Sequence, residues 1–106
     1  MLLEIDYFGQ SGYHWAAKRG YIPCLNVLTG NGKHVNLLDK KHRTPLFLAA
    51  KANYLKACEI LLNNGANPFL RNNQDKLPID ITTNPLIKRE LFERMEVKYF
   101  INYILT

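Results

Sequence analysis

Apolar positions between residues 44 and 63 describe two short helical faces separated by a turn. In "TPLFLAA", residues 44–50, Leu46, Ala49 and Ala50 stand at i, i+3 and i+4, the spacing of one buried helix face. Thr44 is a good N-cap, and Pro45 suits the first helical position, where its missing N–H costs nothing. Asn53 then fits a tight turn. A second helix is predicted over about 54–63, "YLKACEILLN", with Leu55, Cys58, Leu61 and Leu62 facing inward. Asn64-Gly65 ends it, because glycine accepts positive φ without steric cost. The polar, proline-containing "ANPFLRNNQDK" that follows reads as a projecting loop or hairpin.

The same pattern recurs when the chain is shifted by 33 positions. Residues 6–21, "DYFGQSGYHWAAKRGY", fall on residues 39–54, "DKKHRTPLFLAAKANY". Asp6 meets Asp39, Ser11 meets Thr44, Ala16-Ala17-Lys18 meets Ala49-Ala50-Lys51, and Tyr21 meets Tyr54. A third copy begins at "NNQDKLPIDITT", residues 72–83, with Pro78 on Pro45 and Ile79 on Leu46. One helix–turn–helix unit cannot bury its apolar face alone, so the repeat predicts an all-α stack with a continuous core. Beyond Pro85, "LIKRELFERM", residues 86–95, fits a helix with Ile87, Leu91 and Met95 inward. For "VKYFINYIL", residues 97–105, a capping helix and an exposed tail both stand as readings.

Composition narrows the chemistry. The net charge of +5 and pI near 9.3 favour an acidic partner without choosing its class. Two cysteines with no CxxC pair indicate neither a disulfide framework nor a zinc site. There is no secretory leader pattern and no apolar run long enough to span a bilayer, so an intracellular place, cytoplasmic or nuclear, is expected. "GQSG" at 9–12 and "GNG" at 30–32 lack the lysine and strand-to-helix context of a phosphate loop. His14, His34 and His42 have no paired nucleophile in sequence, so neither catalysis, a cofactor nor a metal is expected. Glu90, Glu93 and Glu96 read as a solvated helix face.

These motifs resemble ankyrin repeats. "TPLFLAA" matches the family's T-P-L-H-x-A-A with Phe47 in the His place, "SGYHWAA" matches with His14 there, and "LLNNGANP", residues 61–68, resembles its L-L-x-x-G-A-D-P ending. His42 and Asp75 stand where Gly9 supplies the loop glycine, Thr29 replaces a leucine, and the third copy has Asp80 for His and Thr82-Thr83 for Ala-Ala. The resemblance implies units at about 6–38, 39–71 and a degenerate capping repeat at 72–95, followed by a tail or capping helix at 96–106. It gives His14 a structural role, its ring bonding the repeat backbone and the capping hydroxyl. Trp15, Leu48 and Ile81, which also recur at 33, are expected in semi-buried packing positions between first helices, with an exposed hydrophobic ladder as the alternative. Cys24 and Cys58 are both expected to face inward.

The resemblance further implies a non-catalytic protein–protein interaction module that binds through loop tips and a concave face. The alternative is a regulatory or targeting segment of a larger enzyme, such as a kinase or a protein S-acyltransferase. Carried onto this chain, the variable positions are Tyr7, Phe8, Gln10, Lys18 and Arg19, then Lys40, Lys41, Arg43 and Lys51, then Asn73, Gln74 and Lys76. Six of the fourteen Lys and Arg residues fall there in the first two copies, which suggests a basic strip for an acidic protein segment, with Tyr7 and Phe8 as an apolar anchor. A solvated surface is the competing reading. A monomer is expected, and no recognisable nucleic-acid reader or membrane segment is present in the sequence.

Overall fold

The computed structural model describes residues 5–31 and 34–105, with side chains through Glu96 except that of Asn31. Among these residues the helices are α1 (Gly12–Arg19), α2 (Ile22–Leu28), α3 (Pro45–Lys51), α4 (Leu55–Asn63), α5 (Pro78–Ile81) and α6 (Pro85–Leu105), with a 3-10 turn at Thr29–Asn31. The first helices α1, α3 and α5 pack side by side, and α2, α4 and α6 form a second layer behind them. This is the expected all-α stack.

Local chemistry sets each boundary. Phe47 N–H donates to Thr44 Oγ1 at 3.1 Å, so the hydroxyl satisfies one of the free donors at the start of α3. At the turns, Gly20 and Asn53 take left-handed φ of 66° and 64°. The next N–H then reaches back five residues, Tyr21 to the Ala16 carbonyl and Tyr54 to the Ala49 carbonyl. Gly20 is favoured for a second reason: a Cβ there would lie 3.0 Å from the Tyr54 ring.

The core runs between the layers. Ala16, Ala17, Ala49 and Ala50 are buried and small enough to let the first helices approach closely. Tyr13, Leu25, Leu28, Leu46, Leu61, Ile87 and Leu91 fill the remaining volume, and the Tyr13 hydroxyl donates to the Leu28 carbonyl. Thr29, standing for a leucine, is buried with its hydroxyl bonded to the Leu25 carbonyl at 2.7 Å.

The third unit departs from the first two. Helix α5 has only four residues, because Thr82 is extended (ψ 144°) and Asn84, preceding Pro85, is biased away from helix. Asn84 Oδ1 then accepts from Leu86 N–H at 2.8 Å and starts α6. That helix runs 21 residues, through the boundary expected near residue 95. No glycine or proline interrupts 86–105, so nothing in the backbone stops it. The side chains of 97–105, on which the choice between capping helix and exposed tail depends, lie outside the described ones.

Two burial expectations are corrected. Cys24 is exposed, whereas Cys58 is buried. The counterpart of Cys24 one repeat on is Ala57, which is fully buried where α2 packs on α4. No described element covers the equivalent side of α2. Trp15 is 36% exposed, although its counterpart Leu48 is 4% exposed, for the same reason.

Candidate functional site

The loop tips are built from one carboxylate or amide per unit. Asp6 Oδ1 accepts from Phe8 and Gln10 N–H, Asp39 Oδ1 from Lys41 and Arg43 N–H, and Asn72 Oδ1 from Gln74 and Lys76 N–H, all at 2.8–3.0 Å. Each tip also needs one left-handed residue, supplied by Gly9 (φ 74°), His42 (58°) and Asp75 (63°). The substitutions for glycine seen in the sequence therefore keep the glycine conformation, which Asp and His tolerate better than most residues. Successive tips are tied by single backbone bonds, Lys40 N–H to the Phe8 carbonyl and Asn73 N–H to the Lys41 carbonyl, both 3.0 Å.

The tips and first helices bring most of the expected residues together. Phe8, Gln10, Lys18, Lys40, Lys41 and Arg43 line one cleft of about 260 Å³. Lys41, Arg43, Lys51, Asn73 and Gln74 line a second of about 210 Å³, together with Phe47, Asn72 and Ile81. The two share Lys41 and Arg43. Tyr7, Arg19 and Lys76 line neither. Tyr7 is 82% exposed, stands edge-on to Phe8 with ring centroids 5.5 Å apart, and has Lys40 Nζ 4.7 Å from its own centroid. Arg19 lies over Trp15. Lys76 is exposed on its loop.

Two of the expected contact residues are also tied into the loop scaffold. Gln10 is buried; its Nε2 donates to Asp39 Oδ2 and its Oε1 accepts from Lys18 Nζ at 2.8 Å. Arg43 is mostly covered and its Nε pairs with Asp39 Oδ2 at 2.9 Å. Burial pushes the Asp39 carboxyl up, but the Arg43 backbone N–H, the Gln10 amide and the Arg43 guanidinium together outweigh it and hold the group below its ordinary value. Asp39 is thus a buried anion that organises Gln10 and Arg43, and through Gln10 it positions Lys18. The sequence showed Asp39 as a repeat match only; its burial is set by the neighbouring loop and was not legible.

Trp15 was also missed as part of the site. Its Nε1 donates to Asp6 Oδ2, and Lys18 Nζ stands 3.8 Å from its ring centroid. The Asp6 carboxyl is held below its ordinary value chiefly by the Gln10 N–H, with help from the Trp15 indole. Lys18 is therefore fixed from two directions, by an aromatic face and by the Gln10 carbonyl oxygen.

The histidine and thiol groups are structurally occupied or unreactive where buried. His14 is buried; its Nδ1 accepts from Ser11 N–H at 3.1 Å, with Ser11 Oγ 3.0 Å away. Nε2 therefore carries the proton and donates to the Arg43 carbonyl at 2.8 Å. Burial lowers its pKa, which favours this neutral form. Burial likewise pushes the Cys58 thiol up to about 12. A larger cleft, about 370 Å³, lies at Asn36, Leu62, Gly65–Pro68 and Arg94. Its polar groups are already used: Asn36 bonds Gly65 and Asn67, and Arg94 bonds Glu90 and Asn63. Among the described residues no cluster of His, Cys, Asp and Glu could hold a metal ion, and no helix is long and apolar enough to cross a membrane.

Stacked helix–turn–helix units with Asx-capped tips define an ankyrin-type interaction domain. A family model of ankyrin repeats, in three copies, matches residues 2–81, and the chain belongs to that family. No curated protein matches it. Ankyrin repeats are in general protein–protein interaction modules and are typically non-catalytic.

Proposed function

We propose that this domain recognises a protein partner through the paired clefts, and that the segment it takes is acidic. The observation that carries this is the cleft formed by Phe8, Lys18, Lys40 and Lys41, where an aromatic side chain is rimmed by ammonium groups. Lys41 and Lys51 have no carboxylate partner among the described residues, while the nearby Asp6 and Asp39 are committed to Trp15 and Arg43. The net field of the face is positive, which steers an acidic ligand and fixes its register. Such a surface serves equally in a free-standing adaptor or in a domain joined to an enzyme that it regulates or targets.

The test is charge reversal at Lys40, Lys41 and Lys51 together. Arg43 is left intact, since reversing it would place a second carboxylate against buried Asp39 and unfold the loop. A fluorescein-labelled oligoglutamate peptide, read by anisotropy at low salt, should bind the wild-type domain and lose at least about tenfold in affinity for the variant. Equal binding by a well-folded variant refutes the basic-strip reading.

A further inference from the structure

We infer that the paired clefts read an acidic segment in polyproline II conformation, with apolar side chains at positions i and i+3 and carboxylates between and beside them. This inference rests on the reading above and specifies its ligand. The two clefts belong to successive units and share Lys41 and Arg43 at their boundary. Their walls are first helices that pack directly on one another, α1 on α3 and α3 on α5. Packed helices lie roughly 8–10 Å apart, so the clefts repeat at about that spacing.

An extended ligand must match this period on one face. In a β-strand, alternate residues share a face, so same-side groups fall at about 6.8 Å or 13.6 Å. In polyproline II the turn is about three residues at 3.1 Å each, so i and i+3 share a face about 9.3 Å apart. Only the second spacing fits one repeat. Each cleft offers an apolar side chain, exposed Phe8 in the first and half-buried Ile81 in the second. Lys41 stands between them, where the residues separating the two anchors must pass. Lys18, held by Gln10 and the Trp15 ring, presents a fixed ammonium to the first cleft.

The rim of the second cleft favours a peptide over a nucleic acid. Asn73 and Gln74 are exposed amides on the loop tip and can pair with the backbone groups that a polyproline II segment leaves unbonded. Stacking surfaces for successive bases are lacking there, because Phe47 is only 2% exposed and Ile81 has no π-face.

The experiment uses the whole chain and three labelled dodecapeptides, read by fluorescence anisotropy. One carries two leucines three residues apart among glutamates, the second has the same composition with leucines two apart, and the third replaces glutamate by lysine. The i,i+3 peptide should bind about tenfold more tightly than the i,i+2 peptide, and the lysine version should not bind. Phe8→Ala should abolish the preference for three-residue spacing, and Lys41→Glu should weaken the i,i+3 peptide by about tenfold while circular dichroism stays unchanged. Lys41 is suitable because its side chain is exposed and only its backbone holds the loop.

Equal binding of both acidic peptides, lost together on charge reversal, overturns the spacing and leaves the basic strip standing. Acidic peptides that bind Lys41→Glu and the triple reversal as well as wild type overturn the strip itself. Failure of both acidic peptides to bind, or tighter binding of a 20-base-pair duplex (~20, spanning about two turns) than of the i,i+3 peptide, also overturns the inference.

Discussion

The junction between the first and second units and the junction between the second and third are built at equivalent positions from different chemistry. At the first, His14 reaches from its own helix cap to the Arg43 carbonyl, and Gln10 reaches Asp39. At the second, Phe47 occupies the histidine place and can donate nothing to the corresponding Lys76 carbonyl. Asp80, one unit further, caps its own helix by accepting from Leu77 N–H at 2.9 Å. The bonds instead move to the turn: Thr82 Oγ1 donates to Asn53 Oδ1 at 2.7 Å, Asn53 Nδ2 donates to Thr83 Oγ1 at 2.8 Å, and Arg94 bonds Asn63. The threonines that make the third copy look degenerate thus help to tie it to the second. A repeat can lose its consensus polar residue and keep its place in the stack if a neighbouring position supplies the hydrogen bonds.

The largest expected effect is at the first junction. His14→Ala leaves Ser11 N–H and the Arg43 carbonyl without their imidazole partner and opens a void, costing about 2–4 kcal/mol in denaturant unfolding. The same residue makes this junction pH-sensitive. Burial lowers its pKa below the ordinary 6.5, so the unfolded chain binds the proton more readily than the folded one. Its contribution is complete above about pH 6.5 and declines as pH falls below that value, whereas the alanine variant should lack this component of the pH slope.

Phe47→His sharpens the comparison by installing a donor opposite the Lys76 carbonyl. The prediction is a stability change within about 1 kcal/mol and a second loss of stability below pH 6.5, seen as a steeper slope of unfolding free energy with pH. An unaltered slope would show that the two junctions differ in more than the residue at this position.

At the second junction, Asn53→Gly keeps the left-handed turn and removes the side-chain bonds to Thr82 and Thr83. It should cost about 1 kcal/mol, and Asn53→Ala about 1 kcal/mol more, because alanine must also hold positive φ. Thermal melts of the pair separate the two contributions. The smallest stability effect is expected at Lys41→Glu, within about 0.5 kcal/mol, since the side chain is exposed.

The 33-residue period made the fold legible because helix caps, alanine faces and left-handed turns are local requirements. Gly20 and Asn53, or Gly9, His42 and Asp75, can be matched by eye once the period is known. The site was less legible because it depends on what each loop meets. Gln10 and Arg43 occupy variable, polar positions, yet Asp39 draws both inward, and that carboxylate is buried only because two loops stack. Trp15 and Cys24 have repeat positions that predict packing, and their exposure follows from having no described neighbour on that side. The length of α6 was hidden by Pro85 and the weak pattern after it, although no backbone signal ends the helix.

The comparison of clefts can be put to one measurement, amide chemical-shift mapping of the whole chain titrated with the i,i+3 acidic peptide. Saturable shifts should centre on Phe8, Lys18, Lys40, Lys41, Lys51 and Gln74, spanning both tip clefts. Shifts centred on Asn36, Asn67 and Arg94, around the larger cleft, would contradict the account.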